Sequence, residues 1–211
     1  SAIRLGNCYG DHEAEALYYT LDVRPENALV FIHYAIVLEN ALHGTDDNPE
    51  FIIRSKNMKA YKVQLKEKYS FLQGGTLECV LMENPFDESQ HPEWKRPALV
   101  VVPGGGYAHA SKREAQPVSN AFLARGFQCF ILNYLNRPEG VRYPEQFLEL
   151  SCAVDYVKKH AEELCVNEKE VFVVGFSAGG HLTANLATLY HEASALTGVE
   201  LNNKPKAVGL S

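Results

Sequence analysis

The feature that most constrains this fold is an apolar run that ends at a glycine-flanked serine and then passes into a helical pattern. Residues 171–174 read VFVV, and Gly175-Phe176-Ser177-Ala178-Gly179 follows at once. The next residues are rich in Ala and Leu and predict a helix over 178–192. Glycine two positions to either side of Ser177 allows a sharp strand-to-helix turn without side-chain clashes. The sequence therefore predicts a buried strand, a tight turn and a helix, with Ser177 at the turn.

A second glycine-rich turn follows an earlier apolar strand. The run Pro103-Gly104-Gly105-Gly106-Tyr107 comes directly after ALVVV at 98–102. Three adjacent glycines cost backbone entropy, which a chain tolerates where it bends sharply or approaches a ligand closely. The two turns predict one site: Ser177 as the nucleophile of an elbow formed with Gly175 and Gly179, and an oxyanion hole made by the N–H group of Ala178 and a second N–H from the glycine-rich turn.

Nucleotide binding by these turns is disfavoured by their residue types. Residues 175–180 fit G-x-x-x-x-G, but His181-Leu182 stands where a phosphate loop has lysine and serine or threonine. Residues 104–106 are followed by His109 where a dinucleotide fingerprint has its third glycine. His12, His33 and His43 have no metal-ligand spacing and are interpreted as structural histidines. We therefore predict no cofactor and no metal.

From residue 58 onward, the pattern of strands alternating with helices predicts an α/β fold. The predicted strands are 61–67, 77–83, 97–103, 127–134, 170–175 and 206–210, and the predicted helices are about 113–125, 144–164 and 178–192. Several strands are apolar throughout, as expected for a mostly parallel sheet covered by helices on both faces. Phe147, Leu150, Val154, Val157 and Ala161 recur at three- and four-residue steps and predict the buried stripe of a helix.

The first 57 residues differ from the rest in charge and in pattern. They hold 4 Lys and Arg against 9 Asp and Glu, a net charge of −5, whereas residues 58–211 hold 16 against 17, a net charge of −1. Alternating apolar residues around the Arg24-Pro25 turn predict a hairpin, and a short strand is predicted at 51–54. We divide the chain into a small all-β segment, 1–57, and an α/β segment, 58–211. Residues 1–57 loosely resemble the start of a jelly-roll-like module of Bacteroidetes surface proteins.

Residues 60–211 resemble the α/β-hydrolase esterase and lipase family, nearest to acetylesterases and acetyl-xylan-esterase-like carbohydrate esterases. The matching stretches are PGGGYAHAS (103–111), FLARGFQCFILNY (122–134), YPEQ (143–146) and VVGFSAGGHLTANLA (173–187). The resemblance implies that Ser177 is the nucleophile and that the N–H groups of Ala178, Gly105 and Gly106 are the oxyanion donors. His181 matches a family histidine, which we interpret as a packing residue. The chain departs from the family at Pro103, where many members have His, and at Glu149, where relatives often have Asp.

The order of catalytic groups in that fold is serine, then an acid, then histidine. The 34 residues after Ser177 contain no Asp, and Glu192, Glu200, His181 and His191 are their only acids and histidines. Three of those four lie on the predicted helix after the serine, away from the later loops where the acid and base belong. We therefore expect a truncated α/β-hydrolase whose acid and base lie beyond the chain end, and an inactive 211-residue chain.

The amino-acid composition disfavours two kinds of partner, nucleic acid and a membrane that the chain would span. With 46% hydrophobic residues, the chain is not expected to be disordered throughout. Its net charge of −6 disfavours nucleic acid as the main partner, because binding to phosphates needs a basic surface. No apolar run reaches the roughly 18 residues of a membrane span. The five cysteines include no CxxC pair and are interpreted as buried thiols. The sequence does not determine the cellular compartment. Cytoplasm is slightly favoured for the α/β segment, and the cell surface is the alternative if residues 1–57 form a surface module.

The sequence therefore predicts a serine esterase that acts on small acyl esters, among them acetylated carbohydrates, through an acyl-enzyme. Three alternatives remain: a serine peptidase of the same fold, a non-catalytic surface or adhesion module, and two segments that do not belong to one natural polypeptide.

Overall fold

The structure, a computed structural model, describes residues 53–55, 58–84 and 93–211. The predicted hairpin and most of the predicted all-β segment lie outside the described residues. Of the strand predicted at 51–54, the described part is Ile53–Ser55.

A seven-stranded sheet runs through the described residues. Its strands are β1 (Ile53–Ser55), β2 (Met58–Gln64), β3 (Thr76–Met82), β4 (Arg96–Val102), β5 (Gln128–Asn133), β6 (Val166–Gly175) and β7 (Ala207–Leu210). Their spatial order is β1-β2-β3-β5-β4-β6-β7. The six strands predicted from the α/β pattern all form, but two have other bounds. β2 ends at Gln64 rather than at residue 67, because residues 65–68 turn into a short helix, and β6 begins at Val166, four residues before its predicted start.

The sheet is mixed, with an antiparallel part and a parallel part. β1 with β2, β2 with β3 and β3 with β5 pair antiparallel. β5 with β4, β4 with β6 and β6 with β7 pair parallel. The parallel part therefore comprises four strands, and it is the part that carries both glycine-rich turns.

Five α-helices connect and cover the described strands. They are α1 (Leu65–Lys68), α2 (Gln116–Leu123), α3 (Glu145–Lys159), α4 (Ala178–Leu189) and α5 (Glu192–Thr197), with 3-10 turns at Lys112–Glu114 and Arg137–Glu139. The helix predicted over 113–125 is divided into a 3-10 turn and α2, because Ala115 leaves helical geometry (φ −103°, ψ −100°). The helix predicted over 144–164 ends at Lys159.

The hydrophobic core lies between the parallel strands and α3. Residues 98–102 of β4 are all buried, as is Phe130 of β5. On α3, the predicted stripe is confirmed: Phe147, Leu150 and Val154 have no exposed surface. Burying a side chain of this size stabilises the fold by about 1.5–3 kcal/mol. The strongly apolar sequence of β4 thus reflects its central place in the sheet.

Three cysteine thiols are buried, two of them in this core. Cys79 on β3, Cys129 on β5 and Cys152 on α3 are buried and form no disulfide. Burial raises the pKa of Cys79 and of Cys129 to about 12, and it raises the pKa of Cys152 further. The prediction of buried thiols is confirmed for these three, whereas Cys165 is only half-buried and Cys8 lies outside the described residues.

Candidate active site

Ser177 occupies the turn between β6 and α4 in a strained backbone conformation. Its φ is 51° and its ψ is −114°, a left-handed geometry that a residue with a side chain seldom adopts. Its N–H donates to the carbonyl oxygen of Ser211 at 2.7 Å, which ties the turn to the segment after β7. The N–H of Gly179 donates to the carbonyl oxygen of Phe176 at 2.8 Å. The turn therefore holds an exposed serine at the start of a helix.

The two flanking glycines are required by packing. A Cβ on Gly175 would overlap the carbonyl oxygen of Gly179 and the hydroxyl of Thr183. A Cβ on Gly179 would overlap the carbonyl oxygen of Val102, at the end of β4. The glycines of the G-x-S-x-G motif thus allow the serine turn to pack closely against the end of β4.

The glycine-rich loop after β4 lies directly beside this turn. β4 and β6 are parallel neighbours, with Val102 opposite Gly175, so both chains leave the sheet at the same edge. A Cβ on Gly104 would lie 3.0 Å from the Cβ of Ser177 and 2.6 Å from the carbonyl oxygen of Phe176. Only glycine at position 104 permits this approach.

The loop continues through three successive left-handed residues. Gly105, Gly106 and Tyr107 have φ values of 127°, 62° and 60°. Within the described part of the chain, the N–H groups of Gly105 and Gly106 donate to no protein acceptor, and the same holds for Ala178, the first residue of α4. N–H groups of this kind, at a helix start and in a left-handed loop, attract negative charge.

The predicted site residues are thus brought to one edge of the sheet. Ser177, Gly175, Gly179 and Ala178 belong to the turn after β6, and Gly105 and Gly106 belong to the loop after β4.

Side chains from outside the loop hold its first residues in place. The Glu114 carboxylate accepts a hydrogen bond from the N–H of Gly104 at 2.9 Å. The buried hydroxyl of Tyr134 donates to the carbonyl oxygen of Pro103 at 2.9 Å. Burial raises the pKa of Tyr134 to about 12, so it stays a donor at neutral pH.

Arg137 holds the far end of the loop through two hydrogen bonds. Its backbone N–H donates to the carbonyl oxygen of Tyr107 at 2.7 Å, and its guanidinium donates to the carbonyl oxygen of Gly106 at 2.9 Å. Both carbonyl groups therefore point toward Arg137. Sequence reasoning did not find Glu114, Tyr134 or Arg137, because their roles depend on contacts between separate elements.

A side-chain pair links the loop to helix α4. The hydroxyl of Tyr107 lies 2.8 Å from Nδ1 of His181, and the two rings meet edge to face with centroids 6.1 Å apart. The Tyr107 ring also packs against Tyr134, at 5.9 Å between centroids. His181 is exposed, and it contacts the loop both through this polar link and through the edge-to-face packing of its ring on Tyr107.

A groove of about 230 Å³ opens beside this link. Helix α4 lines one side with His181, Leu182 and Asn185, and Tyr107 of the loop lines another. The remaining walls are Arg137, Arg142, Tyr143, Gln146 and Phe147. The groove therefore begins one helical turn from Ser177 and extends to the start of α3.

Other kinds of site find no support in the described residues. Residues 53–55, 58–84 and 93–211 contain no group of three or more His, Cys, Asp or Glu arranged to hold a metal ion. None of the described helices is both long enough and apolar enough to cross a membrane.

A family model and several known proteins match this chain. The BD-FAE family model matches residues 88–208, which is more than half of the chain. Endo-1,4-beta-xylanase B of Butyrivibrio fibrisolvens is 30% identical over 132 residues, 61% of this chain and 21% of that protein. The acetylxylan esterase of Xylanibacter ruminicola is 34% identical over 113 residues, 53% of this chain and 21% of that protein.

A solved structure supports the fold. MGS-M1, an α/β hydrolase enzyme from a Medee basin deep-sea metagenome library, is 32% identical with a TM-score of 0.59, and the match covers 73% of this chain and 56% of that one. The predicted α/β-hydrolase fold is therefore confirmed. The chain spans about a fifth of the length of the two curated relatives and little more than half of the solved structure.

Proposed function

Because the chain belongs to the BD-FAE family, we propose that it serves in the hydrolysis of carboxylic esters, with Ser177 as the nucleophile. The observation that carries this proposal is the strained, exposed position of Ser177 between β6 and α4, in contact distance of the glycine-rich loop. Strained backbone persists where the surrounding structure enforces it, and it is typical of functional turns. In this proposal the Ser177 hydroxyl attacks the ester carbonyl, its proton passes through the base to the departing alcohol, and the resulting acyl-enzyme is hydrolysed by water to the free acid and the serine.

The N–H groups of Ala178, Gly105 and Gly106 serve in this proposal as the oxyanion hole. They have no protein acceptor among the described residues, and Ala178 adds the positive end of the α4 dipole. The hydrogen bond that Glu114 accepts and the one that Arg137 donates hold the loop without using the N–H groups of Gly105 and Gly106. Donors fixed before the reaction cost no reorganisation when negative charge develops.

The acid and the base of the triad come, in this proposal, from sequence that follows Ser211. The histidine one turn from Ser177 is His181, and its Nδ1 is engaged by the Tyr107 hydroxyl. Without a base, a serine hydroxyl is a poor nucleophile near neutral pH. We therefore expect the 211-residue chain alone to be nearly inactive.

Small acyl esters are the proposed substrates, with acetylated carbohydrates as the leading class. The groove of about 230 Å³ that begins one helical turn from Ser177 suits a compact ester, and one relative is named as an acetylxylan esterase.

The test uses the extended chain, meaning residues 1–211 followed by whatever the gene encodes after Ser211. It is assayed with 4-nitrophenyl acetate and acetylated xylose, and with a 4-nitroanilide to detect peptidase activity. We expect ester hydrolysis that Ser177→Ala lowers at least about 10³-fold, the scale expected for losing a covalent nucleophile. Ser194→Ala, on α5, is the matched control and should retain the rate.

Three results contradict separate parts of the proposal. Ester hydrolysis that survives Ser177→Ala contradicts the nucleophile. Cleavage of the anilide in preference to the ester favours a peptidase. A stop codon directly after Ser211, or full Ser177-dependent activity of the 211-residue chain, contradicts the proposed source of the acid and base.

A further inference from the structure

The groove beside Ser177 has an electrostatic character that the esterase proposal does not use. Two arginines, Arg137 and Arg142, line it, and no Asp or Glu does. The whole chain is acidic, with 26 Asp and Glu against 20 Lys and Arg. A cationic groove in an acidic protein attracts ligands of negative charge.

Three carboxylates of the neighbouring segments accept hydrogen bonds from backbone N–H groups rather than from these arginines. Glu114 accepts from Gly104, Glu139 accepts from the N–H of Asn136, and Glu145 accepts from Gln73. Within the described part of the chain, neither Arg137 nor Arg142 has an ion-pair partner. Both guanidinium groups thus keep donors available to a ligand.

The two arginines differ in how firmly they are held. Arg137 is fixed to the glycine-rich loop by its guanidinium hydrogen bond to Gly106, at 2.9 Å. Arg142 is exposed and stands just before α3. One guanidinium is therefore positioned next to the proposed oxyanion hole, and the second lies farther along the groove wall.

A flat apolar surface accompanies these charges. The side chain of Tyr143 is 61% exposed and stacks on Phe147, with ring centroids 6.1 Å apart and planes 28° apart. An exposed aromatic face next to a guanidinium suits a ligand with one apolar face and one anionic group. A saccharide ring that bears a carboxylate has both.

We propose that this groove selects esters that carry a carboxylate, held by Arg142 and Arg137, with an acidic saccharide as the favoured carrier. The inference rests on the proposed function for the position of the reacting ester, because the groove starts one turn from Ser177. It adds a class of substrate, acylated uronates, to the neutral acetylated sugars considered above.

A binding experiment tests the groove without catalysis. The ¹⁵N-labelled 211-residue chain is titrated with sodium glucuronate, with glucose and with sodium glutarate at matched ionic strength. The side-chain amides of Gln146 and Asn185, both in the groove wall, report occupancy. We expect saturable shifts with glucuronate and none with glucose, and a loss of about 3- to 10-fold in affinity in Arg142→Gln.

Matched variants and ligands decide the outcome. Arg125→Gln removes an exposed arginine at the end of α2, away from the groove wall, and should bind glucuronate as the parent does. Glutarate that binds as tightly as glucuronate overturns the acidic saccharide as the favoured carrier. Equal shifts with glucose and glucuronate, or unchanged affinity in Arg142→Gln, overturn the proposal.

A kinetic experiment relates the groove to catalysis. The extended chain is given monoacetyl esters of methyl glucuronoside and of methyl glucoside. We expect a higher kcat/KM for the glucuronoside, with a preference that falls about 3- to 10-fold in Arg142→Gln and diminishes in high salt. Absent preference in a chain that shows Ser177-dependent hydrolysis overturns the substrate inference alone. Glucuronate binding without any hydrolysis overturns the esterase proposal alone.

Discussion

The hydroxyl of Tyr107 lies 2.8 Å from Nδ1 of His181, although 74 residues separate the two in the sequence. Tyr107 is the third left-handed residue of the glycine-rich loop, and His181 stands one turn along the helix that begins after Ser177. This hydrogen bond therefore joins the two halves of the proposed site, the oxyanion loop and the nucleophile turn.

Removal of that hydroxyl should affect turnover more than binding. In the extended chain, we expect Tyr107→Phe to lower kcat about 3- to 10-fold with KM changed less than about twofold, because the loop donors act chiefly on the transition state. Steady-state kinetics with 4-nitrophenyl acetate measure both constants. Tyr190→Phe removes a hydroxyl farther along the same helical region and should leave both unchanged. A loss confined to KM would contradict the positioning role.

The packing of Gly179 predicts a severe loss of stability on substitution. Gly179→Ala places a Cβ against the carbonyl oxygen of Val102, which belongs to the sheet and cannot easily move. We expect the free energy of unfolding to fall by about 3 kcal/mol or more. Gly198→Ala is the control, since its φ of 69° is strained but its surroundings are open, and it should cost about 1 kcal/mol. Urea unfolding compares them, and equal losses would contradict the steric account.

The buried carboxyl of Glu149 predicts a stability that falls as pH rises. Burial raises its pKa to about 8 from its ordinary value of 4.5, while the N–H of Leu135, 2.9 Å away, opposes that rise and the carboxylates of Glu145 and Glu139 add to it. The folded chain therefore binds more protons than the unfolded chain between these pH values. The free energy of unfolding is therefore unaffected by ionisation of Glu149 below about pH 4.5, and it falls by up to about 1.4 kcal/mol per pH unit as the pH rises from there toward 8.

Urea unfolding between pH 5 and pH 8 checks this effect. Glu149→Gln should lessen the decline, because an amide does not titrate and still offers an oxygen to the N–H of Leu135. Glu170→Gln, at an exposed position, should decline as the parent does. Parallel curves for parent and Glu149→Gln would rule out Glu149 as the source.

Substitution of Asp155 should also lower the stability, because its hydrogen-bond donors would lose their acceptor. Its buried carboxylate accepts from the Tyr69 hydroxyl at 2.6 Å, the N–H of Asn202 at 2.7 Å and the Lys159 ammonium at 2.8 Å. Asp155→Ala should cost about 3 kcal/mol, because buried donors lose their acceptor. Lys159→Met, which removes only the half-exposed partner, should cost under about 1 kcal/mol. Chemical unfolding separates the two, and similar losses would show that the ion pair dominates.

The parts of the fold that could be predicted from the sequence are those set by local pattern. The apolar runs of β4 and β6 predict buried strands because few polar residues interrupt them. The glycines at 175 and 179 predict the serine turn because a side chain at either position has no room. The same local signals placed Ser177 and the glycine-rich loop at one edge of the sheet.

What the sequence could not predict are contacts between distant segments. Glu114, Tyr134 and Arg137 support the loop from three different elements, and nothing in their neighbouring residues indicates this. His181 bonds Tyr107 only because the sheet brings β4 and β6 together. The mixed pairing of the sheet could not be predicted for the same reason, because the local sequences of β3 and β5 do not indicate that the two strands pair antiparallel.

The three buried thiols can report which parts of the folded protein open locally. Cys79, Cys129 and Cys152 stand on two neighbouring strands and on the helix that packs against the sheet, and their raised pKa values leave almost no thiolate to react. An alkylating reagent can modify them only when the surrounding segment opens. The order in which they are modified would therefore show which part of the core opens first.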